Sequence, residues 1–241
     1  MRARLVLSVL LLLAALTVGG FPAYATAVIE LSDGSSTVTL QDNGSSTCSG
    51  ACTGWLTSSD TVMAVGAVSL TTTFDSYVVT VTTGITKPIL GSAAAPDMDL
   101  NVSATRGAAV GSNTLTIEFS DTDFTRPVPG LTLTAGGTSV GSGSYAAYYS
   151  TANTQLTLGT LIASQAFGAG PYTVNTGGAG PLGTGLFSLT QVVTETFPGG
   201  AAMTFSGDHT LTGVPEPASA ALLGGVLLVV TRVIRRTTRR A

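Results

Sequence analysis

The chain predicts an all-β fold, an antiparallel β-sandwich of jelly-roll-like or immunoglobulin-like kind, with a β-barrel as the alternative. Three observations carry this expectation. Apolar and polar residues alternate with period two in many short runs. Those runs are rich in Val, Thr, Tyr and Phe, which suit a pleated, half-buried surface, and threonine keeps its β-branching while its outer hydroxyl stays solvated. Glycine-bearing turn signals separate the runs, and no stretch between residues 26 and 213 sustains a helical apolar period.

In chain order, alternation marks Thr37–Leu40, Val62–Thr71, Tyr77–Thr83, Leu100–Thr105, Thr114–Phe119 and Gln155–Leu158. It returns over Leu186–Thr196 and Met203–Leu211. Turns are expected at Asp33-Gly34, Asn43-Gly44, Gly136-Gly137 and Pro198-Gly199-Gly200. Gly141-Ser142-Gly143-Ser144 reads as a hairpin loop, and the glycine-dense stretch Gly168–Gly185 as a long surface loop. No repeat of solenoid spacing and no interdomain linker interrupts the body before Gly213. Residues 26–213, about 190 in all, are enough to bury one core.

Both ends read as membrane-handling segments. Arg2 and Arg4 form a positive leader, Leu5–Val18 an apolar segment, and Ala23-Tyr24-Ala25 a small-residue cleavage site. That order describes a secretory signal peptide over residues 1–25, cut after Ala25 with Ala27 as the alternative, and implies the Sec export machinery as a partner. Gly19-Gly20 and Pro22 ahead of the cleavage site argue against an uncleaved anchor. At the other end, Val214-Pro215-Glu216-Pro217 precede an apolar stretch, Ala218–Val230. A transmembrane helix is expected over residues 218–234, roughly 17 long and at the short limit of a bilayer span. Arg232, Arg235, Arg236, Arg239 and Arg240 lie in the basic tail, 232–241, where cationic side chains resist translocation. Pro215 and Pro217 keep the approach extended, since proline fixes φ and pushes its predecessor out of the helical region.

These last 28 or so residues resemble a PEP-CTERM sorting signal. The resemblance rests on Val214, Pro215, Glu216 and Pro217, the apolar segment with Gly224-Gly225, and the arginine-rich end, in that order. It implies that residues 214–241 are recognised by exosortase, a membrane-embedded cysteine transpeptidase-like enzyme of Gram-negative bacteria that make exopolysaccharide. It further implies an inner-membrane-anchored precursor, processing near Pro215-Glu216-Pro217, and a mature protein on the cell surface or in the extracellular matrix. No Leu-Pro-x-Thr-Gly-type motif is present, and a glycolipid-anchor signal would end in its apolar tail.

Composition narrows the chemistry. The formal net charge of -3 hides a split, because seven of the ten basic residues lie in the two ends. Lys87, Arg106 and Arg126 are the only ones left in an acidic body, which argues against nucleic acid as a partner. Cys48 and Cys52, separated by Ser49-Gly50-Ala51, are expected to form a local disulfide beside Trp55. The chain has a single histidine, His209, far from them in sequence, so a zinc site lacks ligands; no motif requires a cofactor. No Gly-x-Ser-x-Gly elbow opens a helix, and His209 is expected on the solvent side of its strand. Glu118 and Glu195 are likewise expected to point outward, without the look of a glycosidase pair. Asp97-x-Asp99 and Asp121-x-Asp123 should each project to one side and could join loop carbonyls around Ca²⁺, although aspartate also simply ends strands. The expected function is that of an exported, non-enzymatic surface or matrix protein associated with exopolysaccharide. The alternative is a carbohydrate-binding or adhesive module, which would need an exposed aromatic platform for which Tyr145, Tyr148 and Tyr149 are candidates, Tyr148 and Tyr149 facing opposite ways. A secreted hydrolase ranks third, with no site to support it.

Overall fold

Alternation becomes two faces. The computed structural model describes residues 27–214, and they form thirteen strands. These are β1 (Val28–Ser32), β2 (Ser36–Gln41), β3 (Thr47–Gly50), β4 (Ala67–Phe74), β5 (Tyr77–Ile85), β6 (Asp97–Arg106) and β7 (Asn113–Thr125). There follow β8 (Gly130–Ser139), β9 (Ser142–Ser150), β10 (Thr160–Phe167), β11 (Gly170–Ala179), β12 (Leu186–Phe197) and β13 (Met203–Val214). A seven-stranded sheet runs β10-β9-β12-β7-β1-β2-β3, and a six-stranded sheet runs β11-β8-β13-β6-β5-β4. Every pairing is antiparallel. The sheets remain separate, with β10 and β3 as the edges of one and β11 and β4 as the edges of the other, so the arrangement is a sandwich and not a closed barrel.

The core lies between the sheets. Ile29, Leu31, Ile117, Phe119, Leu189 and Val193 of the larger sheet meet Val79, Val81, Leu100, Val102, Leu133 and Phe205 of the smaller one. Strand β6 shows the rule most cleanly: its ten residues alternate strictly between half-buried and buried, the polar Asp97, Asp99, Asn101, Ser103 and Thr105 facing out. The outer face of β12 is covered too, because the connection from β9 to β10 folds over it. Leu156 N donates to Ser120 Oγ at 3.0 Å, and Ser188 Oγ donates to Thr154 O at 2.8 Å.

Several expectations need correction. Gly168–Gly185 is not one long loop: Gly170–Ala179 pairs with Gly130–Ser139 over ten consecutive positions, its small residues tolerated because ladder hydrogen bonds need no side chain, and residues 180–185 form the loop before β12. Gly136-Gly137 falls inside β8, not at a turn, and the true β8–β9 turn is Val140-Gly141, so Ser142-Gly143-Ser144 already belongs to β9. Gln155–Leu158 contains no strand: Gln155 and Leu156 form a turn, and β10 begins later, at Thr160. Of Val62–Thr71, only the part from Ala67 is strand. The turns at Asp33-Gly34, Asn43-Gly44 and Pro198-Gly199-Gly200 fall between strands.

The signal-peptide residues, including Ala23 and Ala25, lie outside the described residues. So do Pro215, Glu216, Pro217, the apolar span 218–234 and the five arginines. Val214, first residue of the motif, is the last residue of β13, opposite Gly130. Among the described residues there is no helix long and apolar enough to cross a membrane.

Candidate functional site

The six-stranded sheet carries two polar assemblies back to back, one sealed in the core and one open to solvent. The inner one begins with two glycines. Gly137 of β8 faces Gly207 of β13, with Tyr172 of β11 next in the same row. Any Cβ on Gly207 would land on the Tyr172 hydroxyl, so the tyrosine ring lies across two bare backbones and reaches His209. Tyr172 Oη and His209 Nε2 are 3.0 Å apart, while His209 Nδ1 sits 3.3 Å from Leu100 O. The carbonyl can only accept, so Nδ1 carries the proton and Nε2 accepts from the tyrosine. Tyr145 packs edge-on against the imidazole at 5.1 Å between centroids. Burial pushes the imidazole down to about 4, partly opposed by the Leu100 carbonyl and by Asp208.

His209 is therefore not solvent-facing: it is fully buried. It shares strand parity with Phe205 and Leu211, both buried, and not with its exposed neighbour Asp208. Both its nitrogens are occupied inside the core, so it has no route to an external substrate. Glu195 is likewise inward, on the parity of Val193 and Phe197. Its carboxylate accepts from Ser139 Oγ at 2.8 Å and from the amides of Val140 and Gly141, each at 3.0 Å, which ties down the β8–β9 turn. Burial raises it above the usual carboxylate range, against the pull of these donors. Glu118 does point outward, half-buried and directly opposite Glu30. Burial, and then the Glu30 charge, lifts it to about 7.

The two aspartate pairs part company. Asp97 and Asp99 share the outer face of β6, where they accept from Thr212 at 3.1 Å and Thr210 at 3.3 Å. Asp121 and Asp123 do not share a face. The β7–β12 ladder shifts register there and Asp123 adopts φ +61°, a bulge that breaks the alternation. Asp121 turns inward onto Lys87 Nζ at 2.7 Å, and Lys87 also lies 4.3 Å from the Phe124 ring centre. Asp123 turns out to Asn153, whose side-chain amide donates at 2.7 Å. Among the described residues no group of three or more His, Cys, Asp or Glu is placed to hold a metal ion. Cys48 and Cys52 form the disulfide, with Cα atoms 6.5 Å apart, tying edge strand β3 to the loop that carries half-buried Trp55.

Tyr145, Tyr148 and Tyr149 do not form one exposed aromatic platform. Tyr145 is wholly buried, and Tyr148 and Tyr149 are only partly exposed. What the outer face offers is a shallow groove of about 390 Å³ across β11, β8 and β13. Thr173 and Asp208 flank Gly136, while Asn175, Thr134 and Thr210 form the adjoining row. At the rim, burial and then the nearby Asp208 carboxylate raise Asp99 to about 6. This groove was missed because Gly136-Gly137 reads as a turn and β11 as a loop. The only signal was the Thr-x-Asn and Asp-x-Thr spacing that period-two alternation places on one face.

No protein-family model matches the chain, and no curated protein matches it. Among solved structures it is similar to the TmCBM61 module in complex with β-1,4-galactotriose (12% identity, TM-score 0.29, 47% of this chain and 71% of that one). It is also similar to TmCBM27, a mannan-recognising carbohydrate-binding module (9% identity, TM-score 0.25, 50% and 75%). The infectious bursal disease virus Gx strain structure is a third (16% identity, TM-score 0.27, 80% and 52%). At these identities and TM-scores the likenesses assign no function to this chain.

Proposed function

We propose that this protein is an exported, non-enzymatic surface protein. It is delivered through a C-terminal signal of PEP-CTERM type, and its β-sandwich body holds extracellular polysaccharide on the outer face of the six-stranded sheet. The observation that carries the binding half is the groove over Gly136, lined by hydroxyl, carboxamide and carboxylate groups. Such groups both give and accept the hydrogen bonds that sugar hydroxyls make. The non-enzymatic half is supported by His209 and Glu195, whose polar atoms are engaged within the core. Delivery is supported by the order of motif, apolar segment and arginines after Val214.

The test of delivery is the intact mass of mature protein from cells with and without an exosortase. Wild type should lose the segment after the motif only where the enzyme is present, and a Pro215→Ala/Glu216→Ala variant should accumulate at full length in the inner membrane. Retention of the tail through Ala241 on mature wild-type protein would overturn the sorting reading.

A further inference from the structure

The glycine at the bottom of the groove is not required by the backbone. Gly137, its neighbour, is required, because a Cβ there would collide with Ser206 O of the adjacent strand. At Gly136 an added Cβ meets only Tyr172 O, at 3.8 Å, and its φ lies outside the left-handed region. Glycine weakens a strand relative to alanine, and inside strands it marks places where a ligand or another backbone approaches closely. No second backbone lies over the outer side of Gly136; the space there is the groove itself.

The lining decides what fits. Thr134, Thr173, Thr210 and Asn175 supply donors and acceptors together, and Asp208 supplies acceptors alone. No cation is within the groove. All three basic side chains of the described residues are committed elsewhere: Lys87 to Asp121, Arg106 to Phe197 O and Gly111 O, and Arg126 to Leu182 O. An anionic ligand would therefore face Asp208, Asp99 and Asp97 with nothing to neutralise it. The volume sits at the small end of ligand sites, which run roughly 300–1,000 Å³.

We infer that the Gly136 groove is a subsite for uncharged sugar residues of a polysaccharide chain, approaching the bare Gly136 backbone, and that its carboxylates exclude uronic-acid polymers. This rests on the polysaccharide-holding reading above and deepens it. The test uses secreted mature protein and isothermal titration at pH 7.5 with cellohexaose, mannohexaose and a galactan oligomer as uncharged probes, and oligogalacturonate as the anionic one. At least one uncharged probe should bind, and oligogalacturonate should bind at least tenfold more weakly. Gly136→Val points its side chain into the groove and suits a strand better than glycine. It should keep the wild-type melting temperature or raise it, while binding falls at least tenfold. Asp208→Asn should narrow the discrimination against oligogalacturonate at least threefold. Absence of binding to every probe would refute the holding reading itself. Wild-type affinity in Gly136→Val, or oligogalacturonate binding as well as the uncharged probes, would leave that reading standing and refute the subsite.

Discussion

Replacing His209 with phenylalanine isolates a proton-linked contribution to stability. The ring is buried and neutral, held near 4 in the folded state against an ordinary value of 6.5. A depressed base contributes stability that is present above its unfolded value and disappears as pH falls toward its folded one. Above pH 6.5 both states are neutral at this site. Between 6.5 and 4 the unfolded chain takes up a proton that the folded chain refuses, so stability falls by about 1.4 kcal/mol per pH unit. The loss reaches about 2 kcal/mol at pH 5 and about 3 kcal/mol at pH 4. Phenylalanine preserves the ring volume against Tyr145, Phe205 and Tyr172 but strands the Tyr172 hydroxyl and removes the imidazole donor from the Leu100 carbonyl, at a cost of about 1–3 kcal/mol. At pH 7.5 wild type should therefore be the more stable, and that advantage should shrink steadily and approach zero or reverse by pH 4.5. Urea unfolding of both proteins at pH 7.5, 6, 5 and 4.5 measures the gap. Other carboxylates titrate in the same window, but they are present in both proteins and cancel in the difference. A gap that stays constant from pH 7.5 to 4.5 would show that His209 is not a buried neutral base.

Two further outcomes follow from the charged residues. Glu118 is raised, so the sign reverses: its stabilisation belongs to pH below 4.5 and is lost as pH rises through about 7. Glu118→Gln should therefore stabilise at pH 8 by about 1 kcal/mol, after allowing for solvent screening at this half-buried site, and give nothing near pH 4, as read from thermal melts. Lys87→Met should destabilise by about 3–5 kcal/mol, because it leaves the Asp121 carboxylate buried without its ammonium partner. Adding Asp121→Asn should restore part of that loss, and a double mutant no more stable than Lys87→Met would argue that the ammonium matters only through its packing on Phe124.

What the sequence determined by itself was whatever depends on neighbouring residues. Period-two alternation specified an all-β body and located β2, β5, β6, β12 and most of β13, because each strand's inward face is set by its own apolar parity. The Cys48–Cys52 link, four residues apart, was equally local. Parity with Phe205, Leu211, Val193 and Phe197 places His209 and Glu195 on the inward faces of their strands despite their polarity. The tertiary structure decided what depends on strands distant in sequence. Strands β8 and β11 carry too few apolar side chains to announce themselves, and only their ten-position pairing reveals why Gly137 and Gly207 must be bare under Tyr172. The bulge that sends Asp121 to Lys87 and Asp123 to Asn153 arises from the register against β12, which no local pattern encodes. The groove over Gly136 exists only because three strands that are not consecutive in the chain lie side by side, bringing Asn175, Thr134 and Asp208 onto one face.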